Sequence, residues 1–383
     1  MTGTKKTVRA FALAGIAALA LSACGTTGGN NSSNAGSDSS SSGSGSCGHY
    51  NIAFLGAETG DSAALGLNMV GGIKLALAEY NAKHKDCTVN LKDFDSQGDP
   101  SKAPPLASQI VSDQSIVGLV GPGFSGESLA TGDTFSQAGL TSISASATNV
   151  TITQKGWKTW HRVIGNDAAQ GAADAKYLAD KKVYVIDDGS DYGKGLATVV
   201  AQGVKNKIGT DEVQTGQTDF SATVTKVKAS GADAIFYGGY YPEAGLLVKQ
   251  LRQAGWKGLF MSGDGSEDPA FVKAAGAQAA EGAVLSAPAG PAPASFSADY
   301  QKTNGSPAGL YSTQAYDAAN VFLAGIDAGK DRSSMNDFVN SFTGTGVSGP
   351  IAFDDKGDIK QSTIYAYMVK NGKLDTANPT AIK

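Results

Sequence analysis

Short apolar runs alternate with longer, helix-like stretches along most of the chain, beginning near Tyr50. The runs are continuously apolar rather than alternating, which is typical of parallel strands buried on both faces. The longer stretches place apolar residues on one face, as Val70, Ile73 and Leu77 show. The pattern therefore predicts an α/β fold with parallel sheets covered by helices. The elements predicted first are strand Tyr50–Leu55, helix Leu65–Ala82, strand Val89–Phe94, helix Ser101–Asp113, strand Ile116–Val120, helix Ser128–Ala138 and strand Leu140–Ser144.

The alternation restarts near residue 183, which predicts a second doubly wound lobe. We expect lobe 1 to contain residues 48–164 and 286–349, and lobe 2 to contain residues 165–285 and 350–383. Three hinge crossings are expected near Val163–Gly165, Leu285–Pro288 and Gly349–Ile351. Later predicted elements are strand Val183–Ile186, helix Lys194–Lys207, strand Ala234–Gly239, helices Ala294–Thr303 and Tyr311–Ala328, and strands Ile351–Phe353 and Ile364–Met368.

The first 23 residues have the pattern of a secretory signal peptide. Lys5, Lys6 and Arg9 precede an apolar run from Ala10 to Leu21 and then small residues. The run is shorter than the roughly 20 residues that span a bilayer. Its end, Leu-Ser-Ala-Cys24, resembles the bacterial lipoprotein signal, which implies cleavage before Cys24 and diacylation of Cys24. A plain secretory signal with an incidental cysteine is the alternative.

Residues 24–47 are predicted to be the lipidated cysteine and a disordered tether, because Gly25–Ser46 is nearly all Gly, Ser, Thr and Asn. We therefore expect the protein on the outer face of the cytoplasmic membrane, held by its lipid anchor. Outside that anchor the chain has two cysteines, Cys47 and Cys87. An oxidising compartment favours a structural disulfide between them, with a free reactive pair as the alternative.

The charge balance argues against nucleic-acid binding. The chain carries 31 basic and 35 acidic residues, and three of the basic ones lie in the first 23 positions. The remainder therefore has 28 basic against 35 acidic residues, a net charge of −7, with no basic cluster.

The segment Gly121–Gly126 reads Gly-Pro-Gly-Phe-Ser-Gly and matches the pattern of a dinucleotide-binding turn. It follows the third predicted strand rather than the first, and no acidic residue ends the next strand to hold a ribose. A serine-nucleophile turn is equally disfavoured, because Glu127 stands where that motif needs glycine. We therefore expect no enzyme activity and no cofactor. A glycine-rich turn into a helix still offers N–H groups to an anion such as a carboxylate.

Metal chemistry is disfavoured as well. Asp93, Asp95 and Asp99 resemble the start of a calcium loop, but Pro104 stands where its glutamate should be.

Polar and aromatic residues follow the predicted strands of both lobes, where ligands bind in open α/β sheets. One lobe offers hydroxyl and N–H groups, and the other offers aromatic faces and a carboxylate, which suits a zwitterion. The alternative is that these are ordinary turn and capping residues. The candidates are Ser125, Ser146, Ala147 and Thr148 in lobe 1, and Tyr192, Tyr240 and Asp264 in lobe 2.

The folded part resembles the substrate-binding proteins of branched-chain amino acid ABC importers, which have a type I periplasmic-binding fold. The matching stretches are Gly121–Thr148, Asp188–Gly193, Tyr237–Glu243, Ser348–Pro350 and Phe353–Asp358. The resemblance implies that Ser125 and Thr148 bind a ligand carboxylate and that Ser146 contributes backbone contacts. It further implies that Tyr192 and Tyr240 line the cleft and that Asp264 holds the ligand ammonium.

Three positions depart from the family pattern. Asp264 stands where glutamate is common, Leu65 where an aromatic residue often covers the ligand, and Phe124 replaces a cysteine of the familiar disulfide. The resemblance implies a monomeric lipoprotein that captures a free amino acid, leucine, isoleucine or valine, and delivers it to a membrane permease with its ATPase. The departures leave a sensory lipoprotein, or one that binds a short amide or urea-type ligand, as the alternative.

Overall fold

The structure, a computed structural model, describes residues 50–382. The strands within this range are β1 (Asn51–Gly56), β2 (Asn90–Asp95), β3 (Ile116–Val120), β4 (Ser142–Ser144), β5 (Trp160–Arg162), β6 (Val183–Asp187), β7 (Lys207–Glu212), β8 (Ala234–Gly238), β9 (Leu259–Ser262), β10 (Val284–Ala287), β11 (Thr343–Thr345), β12 (Pro350–Ala352), β13 (Tyr365–Lys370), β14 (Lys373–Leu374) and β15 (Thr380–Ala381).

The helices of the same range alternate with the strands from β1 to β9, and three of them follow one another after β10. They are α1 (Ala63–Lys83), α2 (Ala103–Ser112), α3 (Ser125–Gln137), α4 (Thr151–Gln154), α5 (Asp167–Tyr177), α6 (Asp191–Gly203), α7 (Ser221–Ser230), α8 (Tyr241–Gln253), α9 (Pro269–Ala275), α10 (Ala277–Ala280), α11 (Ala294–Asn304), α12 (Ser312–Asp327) and α13 (Met335–Ser341), with a short 3₁₀ turn at Asp264–Ser266. Among the described residues, no helix is both long and apolar enough to cross a membrane.

The first sheet contains five parallel strands in the order β2-β1-β3-β4-β5. The order reverses between β1 and β3, which is the doubly wound arrangement. The two strands on either side of this reversal are fully buried, as their continuous apolar sequences predict. The carboxyl ends of all five strands therefore lie at one edge of the sheet, together with the loops that follow them.

The second sheet repeats this order and then extends it. Its strands run β14-β13-β10-β9-β8-β6-β7, and β15 pairs with β13. The five strands from β6 to β10 are parallel, whereas β13, β14 and β15 pair antiparallel. The prediction of two doubly wound α/β sheets is confirmed, with the difference that the second sheet is mixed rather than wholly parallel.

Helices α1 and α12 pack closely on the first sheet because small residues face each other. A Cβ atom at Gly72 would lie only 2.1 Å from the carbonyl oxygen of Ser312, so glycine is required at this contact. Val70, Ile73 and Leu77 are buried, as the predicted helical face requires.

The chain passes between the sheets at three segments that meet beside Gly165. A Cβ atom there would lie 2.2 Å from Ser362 Oγ and 3.0 Å from Pro288 Cβ. Gly165 and Pro288 belong to the first two predicted crossings, which stay predictions, whereas the third segment at this contact is Ser362, later than the predicted Gly349–Ile351. The reason is that β12 pairs with β11, and the N–H of Arg162 in β5 then donates to Gly357 O. The lobe boundaries given above otherwise stay a prediction.

Two further element predictions need correction. The predicted helix Lys194–Lys207 is wrong at both ends: α6 begins at Asp191 and ends at Gly203, since Val204 is extended and Lys207 starts β7. Helix α3 begins at Ser125, three residues before the predicted start, because its first turn is capped by Glu127.

The predictions for the first 49 residues, including the signal, the lipid on Cys24, the tether and the disulfide from Cys47 to Cys87, fall outside the described residues. They stay predictions.

Arg162 is the largest fully buried side chain of the described residues, and it links three segments. Its Nε donates to Asp358, and its Nη1 donates to the carbonyl oxygens of Ala147 and Asn149, both at 3.0 Å. Its Nη2 donates to Thr153 Oγ1 at 3.2 Å. A buried guanidinium needs such partners, because removing it from water is costly unless it is paired and hydrogen-bonded. Arg162 thus joins β5, the loop after β4 and the segment before the third crossing.

We predict that Asp358→Asn lowers the free energy of unfolding by about 3–5 kcal/mol, because it removes the carboxylate that is ion-paired with the buried Arg162. Chemical denaturation followed by fluorescence measures this change. The matched control is Glu212→Gln, which removes the exposed Lys194–Glu212 pair and should leave the unfolding midpoint unchanged. Equal midpoints for Asp358→Asn and the control would contradict the prediction.

Candidate ligand-binding site

A cavity lies between the carboxyl-end loops of the two sheets, where the doubly wound order places a ligand. The cavity is small in this structure, with a volume of about 10 Å³, so its walls lie close together. Its lining combines hydroxyl, aromatic, apolar and carboxyl side chains. The lining residues are Leu65, Met69, Gly123, Phe124, Ser125, Ser146, Tyr192, Tyr240, Asp264, Gly265 and Tyr311.

Five of the seven residues singled out from the sequence line this cavity together: Ser125, Ser146, Tyr192, Tyr240 and Asp264. The other two, Ala147 and Thr148, are buried in the same loop but are not among the lining residues. The structure thus brings the predicted set to one place, and Ala147 and Thr148 form the layer behind the cavity wall. Whether each residue contacts a ligand stays a prediction.

The end of the cavity nearest the first sheet is formed by the start of α3. Ser125 is the first residue of this helix, whose first-turn N–H groups have no partners within the helix. Glu127 accepts hydrogen bonds from the Phe124 N–H at 2.9 Å and from the Ser96 hydroxyl. Burial raises the pKa of Glu127 to about 8, although both hydrogen bonds oppose this shift. Glu127 therefore fixes the turn that presents Ser125 and its N–H groups, a combination suited to a carboxylate.

The loop after β4 is held from two directions. Ser144 Oγ accepts from the Ala147 N–H at 3.0 Å, and Arg162 binds the Ala147 and Asn149 carbonyls. Ser146 Oγ donates to Gly123 O at 2.5 Å, which ties this loop to the glycine-rich turn. The same loop reaches the second sheet, because Asn149 Nδ2 donates to Asp191 O at 2.5 Å. The cavity wall is therefore rigidly supported before any ligand enters.

Aromatic rings close the cavity from the second sheet. The centroids of Tyr192 and Tyr240 lie 5.1 Å apart, and those of Phe124 and Tyr240 lie 5.3 Å apart. Both distances fall in the range of favourable aromatic contacts. Because Phe124 precedes α3 and Tyr240 precedes α8, this contact joins the loops of the two sheets.

Asp264 is the carboxyl group at the opposite end of the cavity. It is completely buried and accepts hydrogen bonds from two tyrosines, Tyr192 at 2.8 Å and Tyr311. Burial raises the pKa of Asp264, whereas the two hydroxyl donors lower it. Within residues 50–382, Asp264 takes part in no ion pair. The site therefore holds a desolvated carboxyl group without a fixed counter-charge, which suits a ligand cation.

Asp167 lies behind Thr148, at the first position of α5. Burial raises its pKa to about 7, and Thr148 approaches its carboxyl without a hydrogen bond of normal geometry. The Asp167 N–H donates to Thr148 O at 2.9 Å. A second buried carboxyl group therefore lies close enough to Asp264 for the two to interact electrostatically.

Sequence reasoning missed three lining side chains, namely Met69, Phe124 as a wall residue, and Tyr311. Met69 lies four residues after Leu65 on one face of α1, so helical spacing carried a signal for it. Tyr311 carried none: it precedes α12, and only the fold brings its hydroxyl to Asp264. Its backbone is left-handed, with φ of 68°, which is uncommon for a bulky residue.

Comparison with known proteins gives this geometry its context. Residues 49–373 match the family described as periplasmic binding protein. The Leu/Ile/Val/Thr-binding protein of Salmonella typhimurium is 31% identical over 324 residues, which span 81% of this chain and 88% of the relative. A Pseudomonas aeruginosa protein named for binding leucine, isoleucine, valine, threonine and alanine is 31% identical over 332 residues, covering 82% of this chain and 88% of that one.

Solved structures of other proteins show the same fold. The branched-chain amino acid transporter substrate binding protein LivJ of Streptococcus pneumoniae, in complex with isoleucine, superimposes with a TM-score of 0.80 at 27% identity, covering 87% of this chain and 99% of that chain. A type 1 periplasmic binding protein of Bordetella pertussis shares the fold with a TM-score of 0.77 at 22% identity, covering 87% of this chain and 100% of that chain. The type I fold predicted from the sequence is therefore confirmed. Since the family match spans most of its length, the chain belongs to the periplasmic binding protein family, whose members are binding proteins rather than enzymes.

Proposed function

We propose that the protein captures a free α-amino acid with an apolar side chain, leucine, isoleucine or valine, and delivers it to an ABC importer. The observation that carries the proposal is the polarity of the cavity. Ser125 and the start of α3 lie at one end, and the buried Asp264 carboxyl lies at the other. A zwitterion satisfies both ends at once, because its carboxylate meets N–H and hydroxyl donors and its ammonium meets Asp264.

The remaining wall supports an apolar ligand side chain. Leu65, Met69 and Phe124 line the cavity, and all three are buried. Leu65 stands where the family resemblance leads one to expect an aromatic cover, so flexible aliphatic and thioether groups lie beside the Phe124 ring in this wall. One methylene in such a pocket changes binding by only about 1–3 kcal/mol. We therefore expect shallow discrimination among leucine, isoleucine and valine.

The names of the relatives support the same ligand class. The Salmonella relative is named for leucine, isoleucine, valine and threonine, and the pneumococcal structure holds isoleucine. We propose in addition that the protein acts as a monomer, tethered through the lipid on Cys24 to the outer face of the cytoplasmic membrane. In this arrangement it would present the closed, loaded form to the permease.

The first test is calorimetric titration of the purified protein with the twenty amino acids, acetamide and urea. We expect binding of leucine, isoleucine and valine and no binding of acidic or basic amino acids. Binding of acetamide or urea alone would contradict the proposal and favour an amide-type receptor.

Asp264→Asn should lower the affinity for leucine by about 2–5 kcal/mol, which is at least tenfold, because it removes a desolvated counter-charge while keeping the side-chain shape. Titration calorimetry gives the affinity, and thermal unfolding shows whether the variant stays folded. The control is Asp337→Asn on the exposed side of α13, which should bind leucine normally. A variant that melts earlier but binds with unchanged affinity would show that Asp264 only shapes its turn.

The affinity for leucine should fall as the pH drops below the pKa of Asp264 in the empty protein. Burial raises this pKa, and the ligand ammonium favours the ionised carboxyl, so protonation competes with binding. Titrations between pH 5 and pH 8 measure the effect. Asp167, with a pKa raised to about 7, faces the same region. The contribution of Asp167 to the pH dependence remains in Asp264→Asn. An identical pH profile in the native protein and in Asp264→Asn would contradict the assignment to Asp264.

A further inference from the structure

A second cavity lies on the other side of Tyr311 from the amino acid site. Its volume is about 420 Å³, and it is partly open to solvent. Its walls come from the segment after β10, the start of α12 and the β13 strand. Tyr311 lines both cavities, so the two share one wall. Neither the sequence motifs nor the proposed function accounts for this space.

Glu267 is the acidic residue that lines this second cavity. The residue as a whole is 4% exposed, and within the described part of the chain its carboxyl forms no hydrogen bond and no ion pair. Burial raises the pKa of Glu267 well above its usual value, and the nearby charges of Asp268 and Asp264 raise it further. Tyr311 and Tyr367 are the titratable groups that face it from α12 and β13.

The two acidic neighbours of Glu267 have partners. Asp264 accepts from Tyr192 and Tyr311, and Asp268 accepts from the Ala270 N–H at 2.7 Å as the cap of α9. Glu267 has no such partner within the described residues, and it lines a cavity large enough for a small molecule. Its carboxyl is therefore free to accept hydrogen bonds from a group in that cavity.

We propose that this cavity is a second binding site, for a small organic cation in which a primary ammonium group is attached to a short apolar chain. The ammonium pairs with Glu267. The apolar segment Ala289–Ala294 lines the rest of the cavity and suits the hydrocarbon part of the ligand. The rings of Tyr311 and Tyr367 also line it, and aromatic faces attract a cation. The inference does not depend on which amino acid occupies the first site.

The probe for this site is n-butylammonium chloride, titrated calorimetrically into the purified full chain with and without saturating leucine. We expect binding in both states, and no binding of sodium butyrate, which has the opposite charge. If leucine itself fails to bind, the proposed function fails, while the measurement without leucine still tests this site. Competition between butylammonium and leucine for one site would overturn the inference.

Glu267→Gln should weaken butylammonium binding at least tenfold and leave leucine binding unchanged. The matched control is Glu281→Gln, an exposed glutamate of the same sheet region that does not line the cavity. It should bind both molecules normally. Unchanged butylammonium affinity in Glu267→Gln would overturn the proposal.

A second variant keeps the test valid if Glu267→Gln does not fold. Ala377 is an exposed residue at the rim of the cavity, and Ala377→Trp should obstruct the space without touching the carboxyl. We expect it to weaken butylammonium binding at least tenfold while leucine binding is kept. Full butylammonium binding in this variant would place the probe elsewhere and overturn the inference.

Binding should also release protons over the pH range in which Glu267 titrates, because burial raises the pKa of its carboxyl and a bound ammonium favours the ionised form. The measured heat should therefore change with the ionisation enthalpy of the buffer in the native protein and not in Glu267→Gln. Buffer-independent heats in the native protein would contradict the assignment of the cation to Glu267.

Discussion

The buried charge of Arg162 is the constraint on which the ligand-facing edge of the first sheet depends. A guanidinium that is fully removed from water has to satisfy its donors within the protein, and Arg162 does so on residues that are far apart in the sequence. It holds the carbonyl groups on both sides of Thr148, and it pairs with Asp358 just before the third crossing. The loop that carries Ser146 is therefore fixed by the same interaction that anchors the returning chain. A shift of the loop that carries Ser146 would therefore also disturb the segment that connects the two lobes.

On the opposite side of the cleft the buried charged group is an anion, Asp264, rather than a cation. Two tyrosine hydroxyls satisfy it as hydrogen-bond donors, but neither supplies a positive charge. Tyr192 belongs to the helix that follows β6, whereas Tyr311 precedes a helix packed on the first sheet. The two donors therefore come from both sides of the cleft, and they orient the carboxylate for an incoming ammonium. Such prior orientation lowers the cost of ordering polar groups when a ligand binds.

Much of this arrangement could be predicted from the sequence, because it follows from local patterns. Continuous apolar runs identify the buried strand β3, and the rule that ligands bind at strand ends points to Ser125, Tyr240 and Asp264. What the sequence could not predict depends on distant contacts. Strand β7 is largely polar and exposed, so the helix before it seemed longer than it is. The third crossing lies at Ser362 because Arg162 and Gly357 hold the preceding segment to β5, and no pattern near Gly349 reveals that pairing.

Glu267 and Asp264 illustrate why burial must be considered together with hydrogen bonding. The two carboxyl groups lie three positions apart in one turn, and both are almost completely buried. Asp264 is satisfied because Tyr311 adopts a left-handed backbone, at a cost of about 1–3 kcal/mol, and directs its hydroxyl to one side. The same ring then forms a wall between the two cavities, and Glu267 lies on the far side, where no donor from residues 50–382 reaches its carboxyl. The position of the Tyr311 ring thus gives the two carboxyl groups of this turn different surroundings. Asp264 faces the proposed amino acid site, and Glu267 faces the second cavity.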